Sequence, residues 1–136
     1  MAIPMATRTA TITSTASTDM VQRFHVGARL SEMAVHNGTV YLAGQVPDDD
    51  TLDITGQTRQ VLGMIDKLLA EAGSDKTRIL MAQIFLADPA DFPGMNAVWD
   101  EWIGGAPGNA PPRATVHAPL MRPEWRIEVV VTAALK

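Results

Sequence analysis

Two charged side chains near the C-terminal end, Arg113 and Glu128, stand fifteen positions apart in segments that alternate like strands. In the first segment Arg113, Thr115 and His117 point one way, while Ala114, Val116 and Ala118 point the other. In the second, Ile127, Val129, Val131 and Ala133 form an apolar face, and Arg126, Glu128, Val130 and Thr132 form the opposite one. Glu128 is therefore a carboxylate in mid-strand, among β-branched residues, where the chain reads as core. Such a group must be paired, hydrogen-bonded or protonated. It can serve as a general acid or base if its pKa is moved toward neutrality. Arg113 follows Pro111-Pro112 at a loop-to-strand junction, which limits its freedom, and its planar fork suits a carboxylate bound through two parallel hydrogen bonds. The same two residues would equally serve as a structural ion pair or as solvated strand charges, and the pattern alone leaves these readings open.

Other chemistries find less support. His25, His36 and His117 are scattered, with no His/Asp cluster at metal-ligand spacing, so no metal and no cofactor is expected. The chain has no cysteine, which removes disulfides, thiolate nucleophiles and cysteine-based zinc sites and is compatible with a cytoplasmic protein. Gly104-Gly105 and Gly108 lack the strand–loop–helix setting of a phosphate cradle, and Ser31 has no nucleophile elbow around it. A net charge of −4 with no basic run argues against a nucleic-acid partner. No apolar run reaches the length of a membrane span. Trp99 and Trp102, at helical spacing, read as core or interface.

The elements that must position Arg113 and Glu128 can be read along the chain. Residues 1–19 are rich in Thr, Ser and Ala and are expected to form a flexible N-terminal extension, with Met5 or Met20 as alternative starts. Residues 20–136 are expected to be one domain. Val21–Val26 reads as a strand, and Met33–His36 and Thr39–Val46 flank the turn pair Asn37-Gly38 as a hairpin. After the acidic loop Asp48–Asp53, Val61, Ile65, Leu68 and Ala72 predict a helix over Thr55–Ala72, closed by Gly73. Ile79–Ala87 is a nearly unbroken apolar run, the mark of a strand covered on both faces. A second helix is expected over Phe92–Ile103, with Asp91 as N-cap, then strands at Ala114–Ala118 and Trp125–Ala133. Two helices cover only one face of such a sheet, so a second subunit is expected on the other.

On these residues the chain resembles the RidA/YjgF superfamily. The resemblance rests on Pro112-Arg113-Ala114-Thr115-Val116 followed by Ile127-Glu128-Val129. It is supported by Ala43-Gly44-Gln45-Val46-Pro47, by Gln57-Thr58-Arg59-Gln60, and by Asp91-Phe92 with Met95-Asn96. Arg29 and Ser31, His36-Asn37, Ile84-Phe85-Leu86-Ala87-Asp88 and Trp99-Asp100 with Trp102 bring it nearest to the YoaB-like branch. The resemblance implies an α+β fold, a chorismate-mutase-like mixed β-sheet with two helices packed on one face, assembled as a homotrimer with clefts between neighbouring subunits.

It further implies an imine/enamine deaminase, which hydrolyses reactive 2-imino acids to 2-keto acids and ammonia without metal or cofactor. In that case Arg113 would hold the carboxylate of a small substrate, and Glu128 would position or activate the attacking water. Gly44, Thr115 and Asn96 would line the cleft. Three positions depart from RidA proper. Leu30 falls near the place of an aromatic, Ala43 stands where a serine is usual, and Thr115 takes a position often held by cysteine. Two other readings share the same residues: a non-catalytic trimer that binds a small carboxylate or a protein partner, and a different hydrolase or isomerase in the same cleft. A ribonuclease finds no support in the acidic composition.

Overall fold

The computed structural model of the chain describes residues 20–136; the expected extension at 1–19 lies outside the described residues. Six strands form one mixed sheet: β1 (Gln22–Val26), β2 (Ser31–His36), β3 (Thr39–Leu42), β4 (Ile79–Leu86), β5 (Arg113–His117) and β6 (Ile127–Ala134). Their order across the sheet is β1-β2-β3-β6-β4-β5. All neighbours are antiparallel except β4 and β5, which run parallel because helix α2 (Phe92–Ile103) carries the chain back between them. The other helix, α1 (Ile54–Ala72), connects β3 to β4.

Each boundary has a local cause. Asn37 (φ 52°) and Gly38 (φ 77°) take the left-handed backbone that a two-residue hairpin turn requires. Asp53 Oδ1 accepts from the Gly56 N–H at 2.9 Å, capping α1, and Gly73 (φ 86°) ends that helix. α1 buries Val61, Leu62, Ile65 and Leu69 at helical spacing, and β6 buries Ile127, Val129, Val131 and Ala133 at alternate positions. With Ile84, Ala82 and Leu86 of β4, and Met95, Val98 and Trp99 of α2, these make the core between helices and sheet.

Several boundaries differ from the sequence expectation. β2 begins at Ser31, two residues earlier than expected, and β3 stops at Leu42. Beyond it the chain keeps only one isolated bridge, with the Gln45 N–H donating to Val129 O at 2.8 Å and Val129 N–H returning to Gln45 O at 3.0 Å. Asp91 occupies the cap position of α2, but its side chain makes no capping bond. It pairs with Arg126 at 3.2 Å instead.

Within the single chain β4 is covered on one face only, as expected for a sheet with two helices. A register shift between Ile79 and Met81 turns both Leu80 and Met81 outward, and they are 49% and 45% exposed. With Tyr41 and Val116 they leave an apolar outer face bare. The apolar run thus records one core face and one face that the two helices do not reach.

Gln57 joins the parts that no regular element connects. It is fully buried at the start of α1, and its Nε2 donates to the carbonyls of Leu52 (3.1 Å) and Glu124 (3.0 Å). Its Oε1 accepts from the Arg126 N–H at 2.8 Å, one residue before β6. Gln57→Leu keeps the volume and leaves those backbone groups unpaired, at about 1–3 kcal/mol for each buried group. Denaturant unfolding at fixed protein concentration should show a loss of at least about 2 kcal/mol; unchanged stability would contradict this role.

Candidate functional site

Arg113 opens β5 at the free edge of the sheet. Its partner in register is Ala82, whose side chain is in the core, so the guanidinium is turned to the helix side. There Nη2 donates to Asn96 Oδ1 at 2.6 Å, and Cζ lies 5.0 Å from the centroid of the Trp99 ring. Asn96 and Trp99 are three residues apart on α2 and therefore share a face. The remaining terminal nitrogen, Nη1, is buried and has no hydrogen-bond partner among the described residues. Arg59, Arg122 and Arg126 all form ion pairs with carboxylates, whereas Arg113 forms none with the described residues. A buried cationic donor without an acceptor is costly, and a carboxylate is the partner that its fork geometry fits.

Thr115 follows on the same side, in register with buried Ile84. Beyond it, Leu86, Pro89, Phe92, Val116 and His117 complete an apolar groove of about 220 Å³.

Glu128 stands elsewhere. Its register partner is Phe85, and its neighbours Ile127 and Val129 are the ones turned to the helices. The carboxylate is thus on the outer face of the sheet, half-buried, and lies over Gly44. A Cβ at Gly44 would overlap Glu128 Oε2 and crowd Cδ and Cγ. Glycine leaves room for the carboxylate where it stands, and the Gln45–Val129 bridge holds Gly44 in that position. Gln45 itself is buried and donates from Nε2 to Glu32 Oε2 at 3.1 Å and to Ala43 O at 3.0 Å, which fixes the segment laterally.

The five residues singled out in the sequence therefore fall into two groups. Arg113, Thr115 and Asn96 gather at the β5 edge beside α2. Gly44 and Glu128 meet on the outer face, with β4 lying between β6 and β5. Within one chain Arg113 and Glu128 do not form an ion pair, which removes the structural salt bridge between them. Sequence reasoning set Trp99 aside as core or interface. It is buried, and its ring is also the platform for Arg113; the available signal was its spacing from Asn96. Among the described residues no group of three or more His, Asp or Glu side chains is placed to hold a metal ion. No helix among them is long and apolar enough to cross a membrane.

A six-stranded mixed sheet with two helices on one face, an arginine clamped at its edge and a carboxylate seated over a glycine on its bare face define a recognisable class of protein. The family model described as Endoribonuclease L-PSP matches residues 20–135. A RutC family protein of Haemophilus ducreyi is 53% identical over 116 residues, covering 85% of this chain and 97% of that one. The RutC family protein YoaB of Escherichia coli K12 is 43% identical over 115 residues, covering 85% and 98%. The 3-aminoacrylate deaminase RutC of Acinetobacter baylyi is 34% identical over 100 residues, covering 69% and 77%. The crystal structure of NMB1025 from Neisseria meningitidis, described as a member of the YjgF protein family, superposes with a TM-score of 0.84. It is 43% identical and covers 88% of this chain and 98% of that one. The chain belongs to the RidA/YjgF family.

The Gly44–Glu128 contact can be tested by a double-mutant cycle. Gly44→Ala should destabilise the protein by about 1–3 kcal/mol through overpacking. Glu128→Ala in the same chain should recover most of that loss, because the overlapping atoms are gone. Additive effects in denaturant unfolding would show that the two positions do not touch.

Proposed function

We propose that the protein is an imine/enamine deaminase acting on 2-imino acids, and that each active site is assembled from two copies of the chain in a homotrimer. The observation that carries this reading is Arg113: a guanidinium fixed by Asn96 and Trp99, with a buried nitrogen lacking an acceptor and no carboxylate of the described residues paired to it. A substrate carboxylate supplies the missing acceptor. Glu128 faces away from that cleft, so the carboxylate that completes the site comes from a neighbouring copy. The bare apolar face carrying Tyr41, Leu80 and Met81 supports the association, as does the kinship with a relative named as a 3-aminoacrylate deaminase.

The chemistry asks little of the protein. With the carboxylate of the imino acid on Arg113, its C=N carbon lies within reach of a water oriented by Glu128 of the neighbouring copy. Glu128 accepts a proton as the water oxygen bonds to carbon, and the imine nitrogen takes up a proton. The proton held by Glu128 then passes to the carbinolamine nitrogen; the C–N bond breaks as the hydroxyl loses its proton to solvent, releasing ammonia and leaving the 2-keto acid. Orientation, one anion clamp and one proton acceptor are sufficient for so reactive a substrate. A cytoplasmic setting, where amino-acid-derived imines arise, belongs to the same proposal. The acidic net charge of −4 weighs against RNA as the substrate.

Hydrolysis of imino acids generated in situ by an amino-acid oxidase, followed as released keto acid, tests the reading. Wild-type protein should accelerate it, and Arg113→Ala and Glu128→Gln should each lose at least about 100-fold while remaining trimeric. Mixed trimers of the two variants should regain about one quarter of wild-type activity, because in a closed ring some sites then receive an intact Arg113 and an intact Glu128. No regain on mixing would place both groups in one chain. No acceleration by wild type would leave the non-catalytic carboxylate-binding protein as the better reading, and a monomer in sedimentation at micromolar concentration would remove the shared site altogether.

A further inference from the structure

The cleft between β5 and α2 does not end at Arg113. Along β5 the helix-facing positions are Arg113, Thr115 and His117, in register with Ala82, Ile84 and Leu86. Along α2, Phe92 lies one turn before Asn96 and so shares its face. The apolar groove lined by Leu86, Pro89, Phe92, Thr115, Val116 and His117 thus lies next along both elements from the residues that hold the guanidinium. The offset from Arg113 is two strand residues, about 7 Å, or one helical turn, about 6 Å. That is the distance between the carboxylate of an amino-acid skeleton and the end of a side chain of three or four carbons.

The walls are almost wholly apolar. On the helix side of the sheet, Phe92 is left 44% exposed over this groove. A phenyl ring left open beside an unpaired guanidinium makes a two-part receptor, with an anion clamp at one end and a hydrocarbon slot at the other. We infer that this groove is the side-chain subsite of the active site, and that the preferred substrates are 2-imino acids with medium-sized apolar side chains rather than the smallest ones. Phe92 is the specificity-determining residue. The inference rests on the deaminase reading for its substrate, but the groove selects the hydrocarbon whatever chemistry follows.

Two measurements on the intact protein separate the claims. In the coupled assay, kcat/KM for the imino acid derived from leucine should exceed that for the one derived from alanine by at least about tenfold. Phe92→Ala should shrink that ratio several-fold. Turnover without side-chain preference, or an equal loss on both substrates in Phe92→Ala, would overturn the subsite and leave the deaminase standing. In parallel, calorimetric binding of the keto acid of leucine and of pyruvate needs no turnover. The larger keto acid should bind at least about tenfold tighter, and the difference should fall in Phe92→Ala but persist in a correctly folded Thr39→Ser control. Equal affinities, or no binding of either, would overturn the subsite even if hydrolysis fails altogether.

Discussion

A β-strand can show each side chain to only one face of its sheet, and the functional organisation of this protein follows from that constraint. Buried Ile127 and Val129 pin β6 to the helices, which forces Glu128 outward. Pairing with β4 places Arg113 beside Ala82, which forces the guanidinium inward under α2. Neither residue could exchange faces without a one-residue slip that would expose the whole apolar set of its strand. The two groups best suited to act on a carboxylate-bearing imine are thus held apart by the same register that builds the core. In the proposed shared site a second copy joins them, and the apolar face left bare by the helices is the surface offered to it.

Rigid support surrounds both groups. Arg113 has its freedom removed by an amide on one side and an indole face on the other, both from one face of α2. Glu128 rests over Gly44, where a side chain would displace the carboxyl, and the Gln45–Val129 bridge keeps that position from drifting. Gln57 ties the acidic loop and the approach to β6 to the start of α1, so the strand carrying Glu128 enters the sheet from a fixed point. A site made of short contacts to regular elements is better suited to orienting a small substrate than one carried on loops.

Much of this was legible in the residues. Apolar spacing at 61, 65, 68 and 72, the Asn37-Gly38 turn and the alternation along 127–133 predict the helix, the hairpin and the last strand, because each reports a local pattern. The facing of Arg113 and Glu128 within their own strands was legible in the same way. Their relation to each other was not, since alternation says nothing about which face of a shared sheet a strand turns inward. The unbroken run at 79–87 is a related case. A register shift sends Leu80 and Met81 out together, and composition alone does not distinguish a strand covered within its chain from one covered by a neighbour. Asp91 shows a third kind of limit, because a good capping residue was drawn into a tertiary ion pair with Arg126.

The most direct test of a site shared between copies is a crystal structure of the assembled protein with a small 2-keto acid bound. The keto acid's carboxylate should lie on Arg113 of one copy, and its carbonyl carbon should face Glu128 of the adjacent copy. A keto acid held by Arg113 with no residue of a neighbouring copy near its carbonyl, or one bound away from Arg113, would contradict the shared site.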